Sequence, residues 1–261
     1  PLSGSSAIRE LNVGTVAGDM WFNRENNSLN FTWESSSYSG GVWSAGGAML
    51  INNCDLGSTG TQYAALASGG GNDSDATQHY DGAAWTLGGL MITDRGDGGS
   101  AGTQNAALGI GGSPLTTATE EYNGFVWSAG GALPINKCMM GADGTQNAAL
   151  SMGGITPSIV STTEEYNGSS WTAVTSANTA RAALRIAGQQ YAALAVGGYT
   201  PSIVGNTEEY NGSVWSEVND LQTARKTFAA GGTFGDAFAA GGDPAGAVAK
   251  TEEWNGIVWS E

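Results

Sequence analysis

Four adjacent carboxylate pairs, Glu120-Glu121, Glu164-Glu165, Glu208-Glu209 and Glu252-Glu253, are the residues most able to do chemistry in this chain. Two carboxylates at one glycosidic bond can act as acid and base, provided that unlike environments push their pKa values apart. Here the pairs recur at intervals of 44 residues, inside repeated Thr-Glu-Glu-aromatic segments, so each occupies an equivalent environment. That is the pattern of a framework, and no catalytic residue is assigned. A partner for the first Glu can be named. Ten residues after each recurring Trp stands Asn53, Arg95, Lys137, Arg181 or Arg225, and seven before the next stands Gln78, Glu120, Glu164, Glu208 or Glu252. The one repeat that is neutral at the first position is also neutral at the second. This co-substitution predicts a cation-to-carboxylate pair within each repeat, replaced by an amide pair in one, that sets strand register more than it stabilises.

The other reactive side chains are few. Cys54 and Cys138 fall at one repeat position but two repeats apart, beyond the roughly 7 Å Cα separation a disulfide allows, so both are expected as free thiols. Two Cys and the single His79 cannot assemble a zinc or copper site, and no metal or cofactor is expected. His79 occupies the second-Glu position and reads as a strand residue. Asn72-Asp73-Ser74-Asp75 is acidic enough to consider Ca²⁺ but lacks an EF-hand pattern. Of five N-x-[ST] sequons, those at Asn167 and Asn211 are accounted for as turns.

Lys and Arg number 9 against 24 Asp and Glu, a net charge of -15 that would repel phosphate backbones and anionic lipid. Nucleic acid and membrane insertion are therefore not expected, and no apolar run approaches the roughly 18 residues of a span. The chain reads as soluble; the opening Pro1-Leu2-Ser3-Gly4 has no signal-peptide pattern, and a start without Met fits a processed or truncated piece. With 42 Gly in 261 residues, 13% charged residues and no sustained 3.6-residue apolar period, a helical bundle is excluded.

The elements that must position these residues follow from the repeat. Trp43, Trp85, Trp127, Trp171, Trp215 and Trp259 are spaced 42, 42, 44, 44 and 44 residues apart, and a Gly pair ends 27 residues after each of the first five. All length variation falls between that pair and the next Trp. Each repeat fits four strands, exemplified by one near Ala182–Ile186, one over Tyr191–Val196, one over Thr207–Tyr210 and one over Val214–Ser216, the last two joined by Asn211-Gly212 as a two-residue hairpin. Four-stranded units of this period predict an all-β propeller. The segment Ser36–Trp43 aligns with the outer strands of a repeat, and the alternating Met20–Phe31 region could supply its inner strands, so six blades are expected; five blades with an N-terminal β appendage is the alternative. The expected division is a linker over 1–16, a partial blade over 17–45, and full blades over 46–86, 87–128, 129–172, 173–216 and 217–261. The Trp ring reads as wedge-filling core between blades, as do Tyr38, Tyr80, Tyr122, Tyr166, Tyr210 and Trp254 five positions earlier.

The pattern Ala-Leu-Ala-Val-Gly-Gly, Thr-Glu-Glu-Tyr-Asn-Gly-Ser-Val-Trp and Leu221-Gln222-Thr223-Ala224-Arg225 resembles the kelch motif over about residues 33–261. Gly-Thr-Gln-Asn-Ala-Ala-Leu with Glu-Glu-Tyr-Asn-Gly is similar to kelch-like repeats of structural proteins of marine and cyanobacterial phages. Gly18–Asn23 followed by Asn27-Ser28-Leu29 resembles a segment of phage tail and fibre proteins. The resemblance implies a virion protein, with the propeller outward and the N terminus as attachment. Galactose-oxidase-like kelch enzymes need more than one His and sialidase-like propellers need Asp boxes, so a non-enzymatic protein is expected. Binding is expected in the loops after the Gly pairs, at Ile159, Val160, Tyr199, Ile203 and Val204, where apolar residues stand in a variable segment. The implied partners are other virion proteins and a host-surface glycan or protein, with many copies in an extracellular virion. A cytoplasmic, cellular kelch-like interaction scaffold is the alternative.

Overall fold

The structure, a computed structural model, describes residues 20–23, 28–31, 45–71, 74–243 and 249–261. The chain divides into two compact units, Pro1–Ala45 and Gly46–Glu261. In the first, β1 (Met20–Asn23) and β2 (Ser28–Phe31) pair antiparallel, Met20 opposite Phe31, in a two-stranded sheet of their own.

The second unit is a propeller of five antiparallel four-stranded sheets, each built from consecutive strands. Blade 1 is β3 (Gly57–Thr61), β4 (Ala64–Ser68), β5 (Thr77–Tyr80) and β6 (Trp85–Leu87). Blade 2 is β7 (Gly99–Thr103), β8 (Ala106–Ile110), β9 (Thr119–Tyr122) and β10 (Trp127–Ala129). Blade 3 is β11 (Gly141–Thr145), β12 (Ala148–Met152), β13 (Thr163–Tyr166) and β14 (Trp171–Val174). Blade 4 is β15 (Arg185–Gln189), β16 (Ala192–Tyr199), β17 (Ile203–Tyr210) and β18 (Trp215–Glu217). Blade 5 is β19 (Ala229–Thr233), β20 (Asp236–Ala240), β21 (Thr251–Trp254) and β22 (Trp259–Ser260). From blade 1 to blade 5 the first strand of each blade packs on the first strand of the one that follows it in the chain, so these strands are innermost.

The expectation of six blades is corrected to five among the described residues. The two strands expected as inner strands of a sixth blade do form a hairpin, but as a two-stranded sheet of their own, as in the five-blade alternative, and Ser36–Trp43, with Trp43 and Tyr38, lies outside the described residues. That N-terminal stretch also lacks the Gly pair at the position where the five blades carry it, and the pair is what seams one blade to the next. The second Gly donates its N–H to a carbonyl one blade on: Gly70 to Arg95, Gly112 to Lys137, Gly154 to Arg181 and Gly198 to Arg225, at 2.8–2.9 Å. The first Gly faces the same carbonyl. A Cβ at Gly153 would stand 2.3 Å from the Arg181 oxygen, and Gly153 has φ +72°, so only glycine fits.

Two further sets of bonds cross each seam. Twelve residues after each Trp position, Asp55, Asp97, Met139, Ala183 and Thr227 all adopt φ of 50–54°. Their backbones form a ladder around the axis: Asp97 donates to Asp55, Met139 to Asp97, Ala183 to Met139 and Thr227 to Ala183, at 2.8–3.1 Å. Nearer the rim, each Trp indole reaches back one blade to a threonine hydroxyl: Trp127 to Thr77, Trp171 to Thr119, Trp215 to Thr163 and Trp259 to Thr207. These four indoles are 3–7% exposed and stack on the aromatic five residues earlier at ring separations of 4.8–5.4 Å. Burying about 200 Å² of each contributes up to about 5 kcal/mol. Trp85 is half-buried and donates instead to the Gly47 carbonyl.

The second strands of blades 1–4 carry Ala-Ala-Leu runs, where small residues permit close approach of neighbouring blades; Leu66, Leu108, Leu150 and Leu194 are fully buried. Two local expectations are corrected. The first strand of blade 4 begins at Arg185 rather than Ala182, because Ala183 is held in a left-handed conformation by its place in the axial ladder. The Asn-Gly segments are four-residue loops, not two-residue hairpins: Tyr210 pairs with Trp215, and Asn211–Val214 close the turn. Only the Gly has positive φ, while the Asn211 carboxamide oxygen accepts the N–H groups of Ser213 and Val214, both at 3.0 Å.

Candidate functional site

The charged residues come together inside the blades. Arg95 meets Glu120, Lys137 meets Glu164, Arg181 meets Glu208 at 2.9 Å and Arg225 meets Glu252 at 2.5 Å, every partner at most 3% exposed. Each Arg also donates to the carbonyl of the first Gly of its own pair: Gly111, Gly197 or Gly241. Glu120, Glu208 and Glu252 each accept two successive backbone N–H groups, for example Asn178 and Thr179 on Glu208. In blade 3 the first of these donors is lost, since Pro134 stands there. Burial pushes the Arg95, Lys137 and Arg181 cations below their ordinary pKa, and the neighbouring carboxylate opposes it.

Asn53 and Gln78 in blade 1 do not form the expected amide-to-amide pair. Asn53 Nδ2 donates to the Gly69 carbonyl at 2.8 Å, the bond an Arg makes elsewhere. Gln78 Oε1 accepts the N–H groups of Leu50 and Ile51, as a Glu does elsewhere. Both amides therefore serve the backbone directly.

The second Glu of two segments, Glu121 and Glu165, has a role that sequence reasoning missed. Tyr166 donates its hydroxyl to Glu121 and Tyr210 to Glu165, at 2.6 and 2.8 Å, each from the following blade. His79 takes the same place in blade 1, with Nε2 2.9 Å from the Tyr122 hydroxyl. Burial and the adjoining carboxylate push the Tyr166 phenol up to about 12 and Tyr210 also upward. The signal was available: the His stands where Glu recurs, two hydrogen-bonding side chains at one position, with a Tyr hydroxyl 43–45 residues on. In the pairs Glu120-Glu121 and Glu164-Glu165 the two carboxylates are thus committed to two different structural bonds. Cys54 and Cys138 carry free thiols, and no group of three or more metal-ligating side chains is found among the described residues.

The loops after the Gly pairs lie on the face opposite the hairpin tips. In blade 3 the loop folds on itself: Ile155 bridges Ile159, Thr156 N–H reaches Ser158 O at 2.9 Å and Val160 N–H reaches Gly154 O at 3.0 Å. In blade 4, Tyr199 pairs with Ile203 and Gly198 with Val204, extending the sheet into this face. Ile159, Val160, Tyr199, Ile203 and Val204 are all half-buried, and Pro157, Ser158, Pro201 and Ser202 form the exposed crests. Lys226 Nζ lies 5.1 Å from the Tyr199 ring centre. Asn72 and Asp73 of the corresponding blade 1 loop lie outside the described residues. In comparison with known proteins, the chain matches no family model and no curated protein.

Proposed function

We propose that this chain is a non-enzymatic structural protein of a phage virion, a tail-fibre, appendage or decoration protein whose propeller contacts the host surface or another virion protein. The observation that carries the reading is the contrast within each blade. Seams, ladders and buried ion pairs recur almost unchanged, while the loop after the Gly pair differs in length, composition and path from blade to blade. A rigid frame with one variable edge suits recognition, and many copies on a particle would raise weak contacts by avidity. The kelch-like resemblance supplies the virion setting; a cellular interaction scaffold would share the frame.

The test is binding of the labelled full chain to host cells. One variant changes Ile159, Val160, Ile203 and Val204 to Ser, and a second places Glu at the exposed Ser158 and Ser202, where the fold is left intact. Saturable binding lost in both variants, with unchanged circular dichroism, supports host contact through this face. Absence from purified virions by mass spectrometry would overturn the virion reading in favour of the cellular one.

A further inference from the structure

The opposite face is built from ten hairpin tips, five inner two-residue loops and five outer four-residue loops. Of these thirty loop residues only Asp81 is charged, although 13% of the whole chain is. Its carboxylate is already used, accepting the N–H groups of Ala83 and Ala84 at 2.9 and 2.8 Å. The rest are Asn, Gln, Ser, Gly and apolar residues. Into this neutral surface project Tyr63, Phe125 and Tyr191, 72%, 81% and 71% exposed. No such aromatic stands in blade 3, whose tips are Asn147 and Ser169-Ser170.

The loops that carry the three rings are fixed although the rings are exposed. Tyr63 packs on its neighbouring outer turn, where a Cβ added to Gly82 would stand 3.1 Å from the ring, whereas Gly212 adjoins the backbone and Cβ of Tyr191, at 3.4 Å, and not its ring. Gln190, next to Tyr191, anchors its tip to blade 3 by donating to the Ala149 and Tyr166 carbonyls at 3.1 and 2.7 Å. Phe125 sits on a loop locked by the Asn123 carboxamide. Rigid aromatics that need no ordering lose little entropy on binding.

We propose that this hairpin-tip face binds a neutral glycan, with Tyr63, Phe125 and Tyr191 as stacking platforms and the adjoining Asn, Gln and Ser side chains as hydroxyl partners. A pyranose offers an apolar C–H face to an aromatic ring and a rim of hydroxyls that amides can both donate to and accept from. The lack of any cation at the tips, on a chain of net charge -15, argues against a phosphorylated, sulfated or sialylated one. The inference shares with the proposed function only the premise that the propeller is a binder, and it assigns the sugar to the other face.

The test is titration of the full chain with dextran, mannan, galactan and chitooligosaccharides, against dextran sulfate as the anionic control. Binding to at least one neutral glycan is expected, weakened about tenfold by Tyr63→Ala, Phe125→Ala or Tyr191→Ala. Tyr191→Phe, which keeps the ring, and the Ser158→Glu/Ser202→Glu loop variant should bind as the wild type does. No neutral glycan bound, equal binding by the three Ala variants, or preference for dextran sulfate would each overturn the proposal. Cell binding that is lost in the loop variant and kept in the tip variants, with no neutral glycan bound, would overturn it and leave the host-contact reading standing. Glycan binding through the tips without any cell binding would do the reverse.

Discussion

In blade 4, Arg181 and Glu208 meet at 2.9 Å with both side chains fully buried. In blade 1, Asn53 and Gln78 occupy the same places without bonding to each other, yet each makes the backbone bond that its charged counterpart makes. The framework therefore needs a donor for the first Gly carbonyl and an acceptor for two N–H groups of the entering loop. Charge is one way to supply both. Its cost is desolvation of two ions, and its distinctive property is that neither partner tolerates loss of the other.

Removing one ion is the severest way to probe this contrast. Glu208→Ala leaves Arg181 buried without a counter-charge and two N–H groups unsatisfied, and is expected to cost about 3–5 kcal/mol in denaturant unfolding. Gln78→Ala, which strands only neutral groups, should cost about 1–3 kcal/mol; equal losses at the two sites would break the comparison.

Asp143 sharpens the comparison as a half-buried carboxylate with no ion-pair partner among the described residues, its two oxygens accepting Gly144 and Gly188 N–H groups. Burial pushes its pKa up to about 6. Between about pH 4 and 6 the folded chain then holds a proton that the unfolded chain has released, so this group's contribution falls as pH rises through that window. Relative to Asp143→Asn, the wild type should lose on the order of 1–2 kcal/mol from pH 4 to 7, read as a difference between two stability profiles.

Transplanting the blade 1 solution gives a smaller effect. The double variant Arg181→Asn/Glu208→Gln should lose about 1 kcal/mol, far less than Glu208→Ala alone. A loss as large as that of the single variant would show that the ion pair does more than hold the backbone. Smallest of all, Tyr191→Ala on the exposed tip should stay within about 0.5 kcal/mol of the wild type, so that any change in glycan binding is not a folding effect.

Much of this was legible from the repeat. The four-strand unit, the wedge of indoles and the pairing positions of Arg95, Arg181 and Arg225 follow from in-register residue types. What was not legible depends on bonds that cross blades or compete locally. The Tyr166 and Tyr210 hydroxyls reach a carboxylate 45 residues earlier. Asn211 spends its side chain closing the loop, so its own backbone need not take positive φ. The start of β15 is displaced by a left-handed Ala183 whose cause is a carbonyl in the preceding blade. The candidate site was legible only as a loop that varies; that Ile159 and Ile203 sit half-covered beneath Pro-Ser crests depends on how each loop folds back on itself.

Every seam bond from a Trp indole spans 50–52 residues backward, so each blade offers one donor to its predecessor and one acceptor to its successor. The module is therefore interchangeable along the chain. Excising residues 173–216 would set Trp259 at the spacing from Thr163 that Trp215 now has, and would bring the Arg225 carbonyl to the place where Arg181 now accepts the Gly154 N–H. A whole unit can be copied or lost without orphaning a bond, whereas a cut of half a unit leaves an indole and a hydroxyl facing nothing. The gene encoding such a chain can change its blade number in steps of one period and in no smaller step.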